Sequence, residues 1–454
     1  MSARQPLIPV ALPGDDALPA AIGKYRVLGR LGEGATSEVF LAQDDFHQRR
    51  VAIKRVREPT PGDTPGNHYR GHFFAAEAAL AGKLEHPNVA RIFDAVADVA
   101  QPYLVMEYVA GDTLRRFCRP DALLSLHQIV EIGFKCAMAL DYVARRGLIH
   151  RDVKPANILA VLDGEGGVID VKLSDFGSVF DRHSDRTQVF RVGSLAYMPP
   201  EQLDGGPLEA RTDMYALAAV LYHLVSGRPP FDAPTQVAVM NQIYHHEPPS
   251  LATLRHGVPP RMQALLGRAL AKDPALRPAS WQDFADQWSL LVANREVPLA
   301  ARQDVLDSER FNLLRQLEFF SGFGDVELWE VVHRARWQRQ GYGEALYRKG
   351  DLGDSFHIVA QGRIDVYRDG ERVAQLGAGT SVGEMAYLAP SPDLRVHSAD
   401  VLVAEATTTV SFTPATLDML SPVTRHLFDR AFIRVLVRRL HAAHEALAHP
   451  RRIL

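Results

Sequence analysis

His150-Arg151-Asp152-Val153-Lys154-Pro155-Ala156-Asn157-Ile158-Leu159 sets side chains of three chemistries close together: a carboxylate at Asp152, an ammonium at Lys154 and an amide at Asn157. By itself the tripeptide His150 to Asp152 reads equally well as a plain loop, and Asn157 as a turn residue. The surrounding chain decides. A glycine-rich hairpin, Asp163-Gly164-Glu165-Gly166-Gly167, comes next, and the apolar stretch Val168 to Leu173 reads as a strand running into Asp175-Phe176-Gly177. A second acidic motif thus follows the first by about one hairpin, and each corroborates the other.

Upstream, Tyr25 to Ala42 reads as strand, glycine turn, strand, with Gly32 and Gly34 allowing backbone amides to approach anionic oxygens without a Cβ in the way. Val51-Ala52-Ile53-Lys54 alternates as a strand does, and Lys54 taken alone is an ordinary edge residue. Phe73 to Leu84 is expected to be helical, with Glu77, Leu80 and Leu84 at helical spacing and Glu85-His86-Pro87-Asn88 ending it. Tyr103 to Gly111 reads as a buried strand entering a glycine-ended linker. Leu123 to Arg146 carries Ile129, Ile132, Phe134, Met138, Leu140 and Val143 on a long helical pattern and is read as core, without a site.

Together these stretches resemble the bacterial branch of the eukaryotic-type (Hanks-type) serine/threonine protein kinases, which implies a two-lobed fold. The resemblance makes Asp152 the group that orients the acceptor hydroxyl and takes its proton, and Lys154 the charge set against the γ-phosphoryl group. Asn157 and Asp175 become the magnesium ligands, and Gly32 and Gly34 the cover over the ATP phosphates, with Ser37 where the pattern has a third glycine. Lys54 is expected to hold the α- and β-phosphates and to pair with Glu77, Glu85 being the competing acid. The backbone at Glu107 and Val109 is expected to meet the adenine edge. Val192 to Glu201 resembles the end of an activation segment, with Pro199 in place of alanine. It implies a pair between Glu201 and Arg277 and a brace on the catalytic loop from Asp213. Arg151 implies docking of a phosphorylated activation-segment residue, with Thr187 the first candidate and Ser184 and Ser194 next.

Glu296 to Asp307 has mixed charge and weak periodicity, so the expected division is a tail at 1–22, a kinase domain at 23–292, a linker at 293–308 and a second domain at 309–446. A helix with Phe311, Leu314 and Leu317 precedes short strands punctuated by glycine, as in an antiparallel β-roll. The order helix, roll, helix resembles the cyclic-nucleotide-binding domain of the cAMP receptor protein, with Gly350, Gly353, Asp354 and Gly362 at its turn positions. That resemblance makes Gly383 and Glu384 the start of the ligand helix, Glu384 taking a ribose hydroxyl. Where the family has a phosphate-binding arginine this chain has His397, followed by Ser398, with Arg395 two places earlier. Neutral imidazole does not replace a bidentate guanidinium. The domain is therefore open to three readings: a cyclic-nucleotide sensor, a sensor of another anion, or a dimerisation module.

Arg425 to His449 reads as a closing helix, with Phe428, Phe432, Leu436 and Leu440 on an apolar stripe that covers the roll, contacts a second subunit, or both. Arg430, Arg434 and Arg438 are expected on a solvated face. Few residues follow it, so no DNA-reading motif is expected there. The fold class is α+β. A net charge of −3 implies no bulk attraction to nucleic acid or membrane, and no apolar run approaches the ~20 residues of a spanning helix. Two cysteines, Cys118 and Cys136, fit a reducing cytoplasm. The expected cofactors are ATP and Mg2+, the partners are Ser/Thr-bearing proteins, and a homodimer is the candidate assembly. The rival reading is a pseudokinase scaffold, against which all five of Lys54, Glu77, Asp152, Asn157 and Asp175 are present.

Overall fold

The computed structural model describes residues 18–34, 37–57, 74–97, 99–164, 166–178, 180–181, 195–298, 306–389, 391 and 395–448. They fall into two compact units, one within residues 1–301 and the other within 302–454.

In the first unit, six strands form one antiparallel sheet: β1 (Ala21–Ile22), β2 (Tyr25–Glu33), β3 (Ser37–Asp44), β4 (Arg49–Val56), β5 (Ile92–Val96) and β6 (Tyr103–Glu107). Their order is β1-β2-β3-β4-β6-β5. Val51 and Ile53 of β4 are fully buried against Phe40, Tyr103 and Val105. Successive strand residues face opposite sides, so this burial turns Lys54 to the other face of the sheet. The helix expected over Phe73 to Leu84 is shorter. Residues 74–78 are helical, after which i→i+3 bonds tighten the chain (Leu80 N–H to Glu77 O at 3.1 Å, Lys83 N–H to Leu80 O at 3.0 Å). Gly82 then takes φ +69°, the left-handed conformation that ends helices, and donates to Ile92 O at 3.1 Å.

The helical part centres on the helix Leu126–Ala144, started by a reciprocal cap between Ser125 and Gln128. It packs on the helices Ala210–Ser226 and Trp281–Ala293. A Cβ at Gly133 would lie 2.9 Å from the Trp288 ring, so the close approach of two helices requires glycine there. A hairpin of the strands Ile158–Leu162 and Val168–Leu173 carries the two acidic motifs at its open end, because Leu173 pairs with Ile158. That register sets Asn157 beside Ser174, whose N–H donates to Asn157 O at 2.9 Å.

The second unit holds two four-stranded antiparallel sheets. One contains Arg336–Gln340, Thr407–Phe412, Phe356–Gln361 and Ser381–Val382; the other contains Ala345–Tyr347, Asp400–Val403, Arg363–Arg368 and Glu371–Gly377. Gly362 has φ +94°, and a Cβ there would lie 2.7 Å from Ala406 O, so this turn requires glycine. Phe319, Phe320, Phe356, Phe412, Phe428 and Phe432 join one end of the roll to the C-terminal helix Pro422–Ala448.

Along that helix the apolar stripe divides. Phe428 and Phe432 are buried, but Leu436 and Leu440 are 43% and 57% exposed. At 1.5 Å per residue the helix is about 40 Å long and outruns the surface its first half covers. Arg430, Arg434 and Arg438 are exposed, as expected, and two of them also hold contacts. Arg434 donates to Phe319 O at 3.1 Å, and Arg438 pairs with Glu318 through both terminal guanidinium nitrogens, Nη1 and Nη2.

Candidate active site

Three segments far apart in sequence meet at Lys54. Its Nζ donates to Glu77 Oε2 and to Asp175 Oδ1, each at 2.7 Å. Glu77 is 1% exposed, whereas the competing acid Glu85 is exposed and uses its amide to donate to the Tyr142 hydroxyl at 2.7 Å. Glu77 is therefore the acid that meets Lys54. Burial works against the Lys54 charge, but the Asp175 and Glu77 carboxylates more than offset it and hold its pKa above the usual lysine value. Burial pushes the Glu77 carboxyl up, with Lys54 pulling the other way.

Within the loop His150–Asn157, Lys154 Nζ donates to Asp152 Oδ2 at 2.6 Å. Asn157 Nδ2 donates to Asp152 O at 2.8 Å and to Oδ2 at 3.0 Å. These bonds turn the amide nitrogen toward Asp152 and its oxygen elsewhere. Arg151 and Asp175 both take φ +63°. For a non-glycine residue that conformation costs about 1 kcal/mol and persists only where the surroundings impose it. At Arg151 the surroundings are Asp213, which accepts the N–H of His150 at 2.7 Å and of Arg151 at 2.8 Å, and Gln202, which donates to Arg151 O at 2.9 Å. Burial pushes the Asp213 carboxyl up, while His150 and the two amides pull it down. On the Asp175 side, Phe176 is buried 4.7 Å from the His150 ring, centroid to centroid. His150 Nε2 lies 3.1 Å from Ser174 O. Phe176 thus anchors inward while Asp175 faces Lys54.

Around this centre, Gly32 pairs with Val39, and a Cβ there would meet nothing within 4 Å. The local fold does not itself demand glycine at 32. Gly34 closes the strand pair by donating to Ser37 O at 2.8 Å. At the linker, the Glu107 N–H is engaged by Arg91 O at 2.8 Å, and its carboxylate lies 3.1 Å from Lys172.

The pocket residues of the second unit gather around Tyr347. Gly383 has φ +83°, and a Cβ on it would lie 2.4 Å from the Tyr347 hydroxyl. The His397 ring stacks on the Tyr347 ring at 3.8 Å. The Tyr347 hydroxyl donates to Ser355 O at 3.1 Å and lies 2.6 Å from His357 Nδ1. Burial depresses the pKa of His397, and that of His357 to about 4, so both are neutral at neutral pH. Glu384 is 1% exposed and paired with Arg439, whose Nη2 also donates to Ser381 O at 2.8 Å. Arg395 is exposed and donates to Ala389 O at 3.3 Å, and Ser398 is exposed. The structure brings Gly383, Glu384 and His397 together but not Arg395 or Ser398.

Residues 25–289 match the family model of the protein kinase domain, more than half of the chain. The chain belongs to the protein kinase family. Residues 341–420 of this kinase match the family model of the cyclic nucleotide-binding domain. Similar proteins include a probable serine/threonine-protein kinase of Streptomyces coelicolor, 36% identical over 263 residues, 56% of this chain and 38% of that protein. A probable serine/threonine-protein kinase of Corynebacterium efficiens is 38% identical over 294 residues, 62% of this chain and 43% of that protein. The serine/threonine-protein kinase PknB of Mycolicibacterium smegmatis is 35% identical over 300 residues, 64% of this chain and 46% of that protein. The matched stretch spans less than half the length of each of these relatives.

In the kinase domain, Arg277 donates to Glu201 through Nη1 at 2.7 Å and Nη2 at 2.8 Å. The Arg277 side chain is fully buried and also donates to Ala271 O and Arg211 O, each at 2.9 Å. Thr187 and Ser194, with Ser184, lie outside the described residues.

Three positioning residues left too little trace in the sequence to be expected. Asn88 donates to Asp170 Oδ1 and to Val171 O, each at 2.8 Å, and ties its segment to the strand that ends at Leu173, two residues before Asp175. Lys135, 3% exposed on the helix read as pure core, meets the same Asp170 oxygen at 3.0 Å. Its one signal was a lone charge between Phe134 and Cys136. Gln202 had no local signal at all.

Proposed function

We propose that this protein transfers the γ-phosphoryl group of ATP to serine or threonine hydroxyls of other proteins, with its second unit controlling the reaction. The observation that carries this reading is the double engagement of Lys54 by Glu77 and Asp175 beside the Asp152, Lys154 and Asn157 network. Asp152 accepts the proton of the acceptor hydroxyl as its oxygen attacks phosphorus. Lys154 pairs with Asp152 and faces charge developing on the transferred group. Asn157 fixes the Asp152 rotamer. Lys54 holds phosphate oxygens, and Glu77 and Asp175 hold Lys54. The open space over Gly32 admits a phosphate chain, and the main chain at Glu107 and Val109 meets the base. The Asn157 amide oxygen and the Asp175 carboxylate are hard oxygen donors and fit Mg2+. When bound, that ion offsets the charge of the β- and γ-phosphates.

Arg151 is the receiver for a phosphate on Thr187, Ser184 or Ser194, and the Glu201–Arg277 pair anchors the end of that segment. We place the kinase domain at 23–292, the linker at 293–308 and the second domain at 309–446. The buried, unpaired Cys118 and Cys136 support a cytoplasmic location. No described helix is long and apolar enough to cross a membrane. The outer face of the C-terminal helix, with Ile433, Leu436, Val437 and Leu440 exposed, supports pairing of two copies. In the second unit, Glu384 accepts a hydroxyl of a small ligand, a cyclic nucleotide being the class the matched family names. The phosphate half of such a ligand fits less well, since His397 is neutral and Arg395 points to Ala389.

Incubating the full chain with labelled ATP and magnesium tests the enzyme reading, alongside Asp152→Ala and Asp175→Asn. Label on the wild type alone supports phosphoryl transfer. Equal label on all three points to a contaminant and sinks it.

A further inference from the structure

ATP, on the reading proposed above, stretches from the main chain at Glu107 to the oxygens of Asp175, so those two segments must stand a fixed distance apart. They belong to different sheets: β6 ends at Glu107, whereas Asp175 follows the strand Val168–Leu173. Asp175 also sits at φ +63°, a conformation that persists only where the surroundings impose it, so the strand that delivers it has to be held. Lys172, three residues before Asp175, reaches across. Its Nζ lies 3.1 Å from Glu107 Oε1 and donates to Pro87 O at 2.6 Å.

The main chain marks the same junction. Leu173 N–H donates to Asn88 O at 2.8 Å, and Ala90 N–H donates to Leu173 O at 2.8 Å. At the next residue the linker takes over: Glu107 N–H donates to Arg91 O at 2.8 Å, and Arg91 N–H to Glu107 Oε2 at 3.3 Å. Residues 87–91 are thereby bonded to the strand on one side and to the linker on the other. Asp170 shares a strand face with Lys172 and reaches the same stretch. Its Oδ1 accepts from Asn88 Nδ2 at 2.8 Å, from Lys135 Nζ at 3.0 Å and from Val171 N–H at 2.9 Å. The strand thus carries an acid answered by the long helix and a base answered by the linker. Lys172 and Glu107 are 17% and 27% exposed, so water screens their attraction less than that of a surface pair.

We propose that Lys172 is a positioning residue for phosphoryl transfer: by clamping the strand that delivers Asp175 to the linker at Glu107, it sets the span between the base end and the metal end of the ATP site. This rests on the kinase reading above. Without the lysine each end keeps its own contacts, but the two are no longer held in register. A ligand that uses one end alone is indifferent to the clamp, and a ligand that uses both is not.

Binding of adenosine and of Mg·ATP to the full chain, measured by calorimetry below the melting temperature of every variant, reads that difference. For Lys172→Met, Mg·ATP should bind about tenfold more weakly than to wild type while adenosine changes by less than about twofold. KM for ATP should rise with it, and KM for the protein acceptor should not move. Lys172→Arg, which keeps the charge and a donor, should recover most of the loss. Lys172→Gln keeps a donor for Pro87 O without the charge; it should resemble Lys172→Met, and it replaces that variant if methionine prevents folding. Equal weakening of both ligands would make Lys172 a support of the linker alone and overturn the clamp. Mg·ATP affinity within about twofold of wild type would overturn it too. A wild type that binds neither ligand rejects the kinase reading and the clamp with it, whereas a binding wild type with unchanged variants rejects the clamp only.

Discussion

Glu77 and Glu384 are both 1% exposed, and each is met by one basic side chain, yet their surroundings differ in charge. At Glu77 the cation is shared: Lys54 also serves Asp175, and Asp152 stands nearby with Lys154. Among the described residues, Glu77, Asp175 and Asp152 are thus brought toward Lys54 and Lys154, and the oxygens of Asp175 suit a metal ion accompanying phosphates. At Glu384 a single arginine faces a single acid, and the neighbours Tyr347, His357 and His397 are neutral. Asp354 also acts on Tyr347 and His397, and Asp351 on His397. Burying an acid brings a cation to it in both places, but only at Glu77 is that cation shared with a second acid.

The comparison breaks first on chemistry. Asp152→Asn keeps the size and most bonds of the side chain but cannot take a proton, so phosphoryl transfer should fall by at least about 1000-fold while the melting temperature holds. A steady-state assay with a generic protein acceptor reads it, and a loss below about tenfold would remove Asp152 from the reaction.

Next is the Glu201–Arg277 pair, whose rupture leaves the largely buried Glu201 carboxylate with only the Thr212 hydroxyl, 3.2 Å away, as its hydrogen-bond donor among the described residues. Arg277→Ala should lower stability by about 3–5 kcal/mol in urea unfolding of the kinase domain. Replacing both partners with apolar residues should cost less. Equal losses would mean that packing, not charge, is what Arg277 supplies.

Acid should then separate the two regions. His357 has a folded-state pKa of about 4, below the usual ~6.5, because burial disfavours its charge. Between those values the unfolded chain binds more protons, so stability present above about pH 6.5 is lost as the pH falls toward 4, on the order of 3 kcal/mol for this group. His397 is shifted the same way. Protection factors for the strand Phe356–Gln361 at neutral pH and near pH ~4.5 measure the effect, and His357→Gln should flatten it.

The smallest effect is a pair of glycine substitutions. Gly383→Ala meets Tyr347 at a positive φ and should destabilise its unit by about 1–3 kcal/mol. Gly32→Ala meets nothing and should change stability by less than about 0.5 kcal/mol, while weakening ATP binding by narrowing the open space above it. A destabilised Gly32→Ala would show that this glycine serves the fold.

Legibility followed contiguity. The loop His150–Asn157 and the triplet Asp175–Gly177 were readable because each packs several roles into adjacent residues, and one hairpin register brings them together. In the sequence, Glu77 is preferred to Glu85 only for its distance ahead of His86-Pro87 in the family pattern; the structure adds the physical reason, burying Glu77 against Lys54 and leaving Glu85 exposed. Gln202 and Asn88 act by single amide bonds to distant main chain, which leave no periodic or compositional trace. Arg439 was hidden by its stripe. The arginines at 430, 434 and 438 share a spacing that reads as solvated, and the one beside them is the one that turns inward.

The amino-acid sequence by itself determined which family and which two architectures this protein carries, because residue types, strand alternation and glycine turns are local properties. Only the tertiary structure decided how each buried charge is balanced. Coulombic attraction within a dry interior depends on distance in space, and nothing in the order of residues says that Lys54 is shared between two acids or that Glu384 is answered by the last helix.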